Sequence, residues 1–286
     1  MSADAELAKL ERQVLGVARI SSFTVAVDAL RRLLETESPE LRAAVLRLTA
    51  PAIGRDLAAA IGNAWNIGIR DASSLVAKAP KIDALPPAPL VAAARAGERF
   101  IAAEMATARK LAKAGADPAA VMAPVNAARN RLEADVRSLV TAAGNAGSTA
   151  VADAAGVATV WIAETNACVE CLAYSGVIAK PGQNFPGGLT YGAKSYNPTS
   201  IAYPPRHPNC RCTVEPLRDK SFATALRREA DRSVLRGFSL ESESMKTRIE
   251  AAERLIAKNP KAPASVVAYA RRAVKAGEFP TRGRPE

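Results

Sequence analysis

The chain has 286 residues and a formal charge of +11, with about half of its residues apolar and a quarter charged. That is a globular composition, and its length suffices to bury one large core or two ordinary ones. No stretch approaches the 18 to 20 or so consecutive apolar residues of a membrane span, and Met1 to Leu10 carries acidic residues without the apolar core of a secretory signal, so neither is expected.

Alanine dominates the apolar fraction, and aromatics make up only 5%. Alanine is the strongest helix former but fills little volume, which predicts a mainly α chain with long helices packed through small residues. Residues 4–20 and 23–36 repeat apolar side chains at spacings of three and four (Leu7, Leu10, Val14; Val27, Leu30, Leu34). Pro39 suits the first turn of a following helix, and a further helix is expected from Pro51 to about Ala79. Pro80, Pro86, Pro87 and Pro89 then interrupt the pattern, so residues 79–89 form a bend or linker.

Helices are next expected over 90–114 and 118–143, with Asp117 and Pro118 at the second start. Arg95, Arg99, Arg109, Lys110, Arg129, Arg131 and Arg137 read as their solvated face. From Gly144 to Gly156 the residues are small and polar, and the helix is expected to end there. Ala158 to Ile162 is a β-branched and aromatic run, a short strand with Trp161 as core.

Residues 164–216 hold all four cysteines and the single histidine. Cys168-Val-Glu-Cys171 is followed, after 35 residues, by His207-Pro-Asn-Cys210-Arg-Cys212. Cys-x-x-Cys places two thiolates on one side of a backbone turn, and His-x-x-Cys supplies a second such pair. Thiolate and imidazole both suit Zn2+, and a segment rich in Gly and Pro needs a cross-link to hold its shape. The expectation is a structural zinc site. Cys168, Cys171 and Cys210 belong to it, and its fourth ligand is either His207 or Cys212. Two disulfides, or unligated core thiols, are the competing readings. A deaminase-type catalytic zinc needs His-x-Glu, which the lone histidine lacks.

Past Pro216, helices are expected over about 219–236, 241–258 and 263–276, before a polar tail over 281–286. Asp219 to Glu286 holds fifteen Lys/Arg against nine Asp/Glu, the most basic quarter of the chain. The charge favours a polyanionic neighbour without naming one. The organisation expected is therefore a helical region over 1–145, a small irregular, β-containing cysteine/histidine module over 146–217, and a basic helical region over 218–286. The class is mainly α, in an α+β arrangement.

The run Trp161-Ile-Ala-x-x-Asn-Ala-Cys168-x-x-Cys171-Leu-Ala-Tyr-Ser-Gly176-Val resembles the phage Mu protein F-like (MuF-like) family of minor head, or head morphogenesis, proteins. The likeness continues through Phe185-Pro, Pro204-Pro-Arg-His207-Pro-Asn-Cys210-Arg-Cys212-Thr-Val and Glu215-Pro. It covers about residues 155–217. The resemblance implies a low-copy, non-enzymatic component of a tailed-phage head, made in the bacterial cytoplasm and placed at the portal vertex of the virion. Its implied partners are the portal protein, the major capsid protein and packaged DNA, with no small-molecule substrate. The alternative is a zinc-stabilised nucleic-acid-binding regulator, reading DNA with arginines on the helix after the ligands.

Overall fold

The computed structural model describes residue 57 and residues 59–279, apart from 84, 196, 208, 209, 240, 241, 259 and 260. The helices expected over 4–20, over 23–36 and from Pro39, and the tail over 281–286, lie outside the described residues. The protein is mainly helical, with one small three-stranded antiparallel sheet among the described residues. It falls into two compact units: one drawn from residues up to Gly68 and from Asp83–Gly147, the other from Ile69–Ile82 and from Ser148 onward. Among the described residues, no helix is long and apolar enough to cross a membrane.

Helix α1, within the segment expected from Pro51, covers 59–73, belonging to the first unit up to Gly68 and to the second from Ile69, and stops short of Ala79. Residues 79–83 and 85–87 carry no regular structure, as their prolines require. The Trp65 indole donates to the Asp83 carbonyl at 3.0 Å, pinning the start of that segment's return. Helix α2 (Ala88–Lys113) buries Leu90, Ala94, Gly97, Ile101, Met105, Ala108 and Ala112, a stripe at spacings of three and four. Several of these are Ala or Gly, so neighbouring backbones approach closely.

Helix α3 (Pro118–Ala154) has 37 residues, about 55 Å at the standard rise per residue. It overruns the expected end at residue 143. The small residues beyond that point are packing residues inside the helix: with Ala143, the side chains of Asn145, Ala146, Ser148, Val151 and Ala152 are buried. A Cβ on Gly68 of α1 would collide with the Gly144 carbonyl, so glycine there admits the second helix. Tertiary contact thus outweighs the low helix propensity of glycine and serine.

The second unit is built around β1 (Thr159–Ile162), whose four residues are all buried. It is the central strand of the order β2-β1-β3, with β2 (Ile178–Ala179) and β3 (Thr213–Pro216) both antiparallel to it. Trp161 lies opposite Val214, and the Ser148 hydroxyl near the end of α3 donates to the Val214 carbonyl at 2.8 Å. Between the strands, α4 (Val169–Tyr174) is a single buried turn and a half. Trp161, Tyr174 and Phe185 are fully buried together, the indole 4.9 Å from the Tyr174 ring and 5.2 Å from Phe185 in an edge contact.

Three helices complete the unit: α5 (Lys220–Leu235), α6 (Met245–Ala257) and α7 (Ala264–Ala276). Asp219 and Ser244 cap the first two, accepting from the amides of Phe222 and Thr247. Gly277, at φ 75°, ends the third in a left-handed turn. Their inner faces add Val234, Leu235, Ala251, Leu255, Val266 and Ala270 to the core that holds Trp161 and the cysteines. Gly176, at φ 73°, lies where a Cβ would strike the Ala223 carbonyl of α5. That glycine is what allows the chain after α4 to seat against α5.

Candidate metal centre

Cys168 stands at the N-cap of α4 in an extended conformation, and its sulfur accepts from the Cys171 amide at 3.4 Å. One helical turn later, Cys171 brings its own sulfur back beside the first. The Cys-x-x-Cys spacing is therefore a cap and a first turn rather than an isolated bend. His207 follows the Pro204–Pro205 step, and the Cys210 amide donates to the His207 carbonyl at 3.1 Å, closing a second turn. Cys210 and Cys212 lie just before β3, two residues apart and both buried.

The fold brings all five sequence-predicted residues together. His207 Nε2 lies 3.1 Å from the Cys168 sulfur and 3.2 Å from that of Cys171, and the Cys171 and Cys210 sulfurs are 3.6 Å apart. Two overlapping triads result, Cys168–Cys171–His207 and Cys171–Cys210–Cys212, with donor atoms within 4.8 Å of one another in each. Cys171 is common to both. All four cysteines are buried and none is joined to another in a disulfide, so the disulfide reading is not the arrangement found.

Electrostatics fit a cation. A hydrogen bond from Cys171, with help from His207, draws the Cys168 thiol down to about 5 against the effect of burial. Cys210 is likewise held well below the ordinary thiol range by its hydrogen bonds with Cys171 and Cys212. Cys171 is pushed up, first by the hydrogen bond it gives Cys168. Cys212 gains some relief from Cys171 but is pushed up by Cys210 and by burial. Adjacent sulfurs share protons in this way because several buried thiolates repel one another. A bound cation is what lets more than two of them ionise. The donor set is soft, buried and numerous enough for four-coordination, and the residues therefore fit a metal.

Charged neighbours that the spacing did not single out surround the ligands. Glu170, inside the Cys-x-x-Cys, pairs with Arg206 at 2.9 Å, and both side chains are fully buried. Glu164 pairs with Arg211 at 2.6 Å, between Cys210 and Cys212 in sequence. Burial pushes the Glu164 carboxyl up, partly offset by Arg211. Glu243 accepts from the Val169 amide at 3.1 Å at the start of α4, and burial pushes its carboxyl up too. Position in the sequence was the available signal for Glu164, Glu170, Arg206 and Arg211, each within a few residues of a ligand, but not for Glu243, which comes from far along the chain.

Comparison with protein-family models, with curated proteins and with solved structures returned no match.

Proposed function

We propose that the chain is a structural minor head protein of a tailed bacteriophage, of the MuF-like kind, acting at the portal vertex during head assembly. One observation carries this reading. Two sequence segments separated by 35 residues, recognisable as that family's signature, converge on one buried cluster of Cys168, Cys171, His207, Cys210 and Cys212. The other signature residues have work in the same unit: Trp161 and Phe185 in its core, Gly176 against α5, Arg206 beside the ligands.

The ion we assign is Zn2+, held by Cys168, Cys171 and Cys210 with His207 or Cys212. Zinc in such a closed four-coordinate set supplies a cross-link rather than a reactive water. The chain's own residues deliver the ligands from a helix cap, a turn and a strand end, so that a segment with little regular structure is fixed to the helical core. The portal protein, the major capsid protein and packaged DNA are the partners of this reading, and no catalytic step belongs to it.

The regulator alternative requires arginines free to face bases. On and near α5, Arg227 donates to the Ala173 carbonyl at 2.7 Å, Arg232 pairs with Glu229 at 3.2 Å, and Arg218 lies 5.3 Å from the Phe222 ring centroid. Arg227 is thereby turned inward, which supports the structural reading, whereas Arg232 and Arg218 stay at the surface. The test is proteomic: particles induced from the source strain and banded by density should contain the chain at low copy in heads. Its absence from both procapsids and finished heads, or tight sequence-selective binding to DNA in a salt-controlled gel shift, would overturn the proposal.

A further inference from the structure

We infer that Glu170 and Arg206 are positioning residues: their ion pair sets the two ligand segments in register with each other. The inference rests on the metal-site reading above. Glu170 lies between Cys168 and Cys171, and Arg206 directly precedes His207, so the pair joins the two segments at the ligands themselves. Neither side chain is needed as a donor to the metal. Arg206 Nε donates to Glu170 at 2.9 Å, its Nη1 to the Thr199 carbonyl at 2.9 Å, and its guanidinium carbon sits 4.9 Å from the centroid of the Tyr174 ring. Glu170 accepts a second bond, from the Ser195 hydroxyl at 3.0 Å.

An ion pair buried this deeply gives little net stability over an apolar pair of the same volume. Its geometry is the informative part. A planar guanidinium that meets a carboxylate, a carbonyl and a ring face at once has one orientation, and a lysine ammonium could not reproduce it. The segment it fixes has few regular backbone hydrogen bonds, so side-chain contacts decide where His207 and Cys210 stand.

The experiment uses the full chain and measures zinc stoichiometry, zinc affinity by chelator competition, and the thermal midpoint of the zinc-free protein. The variants are Arg206→Lys, Glu170→Gln and the paired Glu170→Leu/Arg206→Met, in which apolar packing replaces the ion pair. All keep every ligand, so each should still bind one zinc, with affinity about 10- to 100-fold weaker, the range seen when residues behind metal ligands are changed. The paired variant should lose that affinity while keeping a zinc-free midpoint near the wild type's. Wild-type affinity in Arg206→Lys, or in a folded paired variant, would overturn the inference. No zinc on the wild-type chain would instead remove the metal reading beneath it. Should the paired variant not fold, Arg206→Lys, which keeps the charge, decides.

Discussion

Cys171 is the residue on which the two donor triads turn, since it is the only member of both. Cys171→Ser should therefore abolish metal binding, read as zinc per chain by elemental analysis. His207→Ala and Cys212→Ser should differ from each other, and the one that keeps a full equivalent of zinc identifies the residue outside the four-coordinate set. Arg206→Ala should destabilise the chain by about 3–5 kcal/mol in denaturant titrations, because it strands a buried carboxylate. The five donors were legible from spacing alone, since ligand geometry is local to a turn. Glu170 and Arg206 were not, because a charged side chain is solvated by default and only the folded packing reveals that these two are fully buried.

At the scale of elements, the positions where glycine is required can be separated from those where it is merely tolerated. Gly176 and Gly182 both have φ near 70°, but only at Gly176 would a Cβ meet backbone, the Ala223 carbonyl of α5. Gly176→Ala should cost well over 1 kcal/mol and Gly182→Ala about 1 kcal/mol, by the same denaturant measurement. Most of the described helices were readable from the helical pattern of the sequence, and the strand at Trp161 from its β-branched neighbours. The last turns of α3 were not. Gly144, Gly147 and Ser148 are weak helix formers in isolation, and they are helical because close packing and the Ser148–Val214 hydrogen bond reward it. Propensity is a local quantity, and those contacts lie far along the chain.

Across the whole molecule, the chain's two tryptophans fall one to each unit, Trp65 in the first and Trp161 beside the cysteines in the second. Metal-binding energy is folding energy for the unit that contains the site. Free zinc at about a thousand times its dissociation constant should stabilise that unit by about 4 kcal/mol. In Trp65→Phe, the remaining fluorescence should report a melting transition that a chelator moves to lower temperature. In Trp161→Phe, the transition reported by Trp65 should move far less, and equal shifts in both would show that the two units unfold as one. The division into units follows chain distance only in part, which is why composition and proline content did not reveal it: residues Ile69–Ile82 belong with the segment that starts at Ser148.

That excursion constrains inheritance. A module encoded as one uninterrupted stretch can be exchanged between genomes by a single recombination at each border. Here an exchange of residues 148–286 alone would leave behind the 69–82 strip that packs with them. Viable recombinants should therefore have inherited the strip and the cysteine-bearing half from the same parent, with crossovers before residue 69 tolerated far better than crossovers at residue 148.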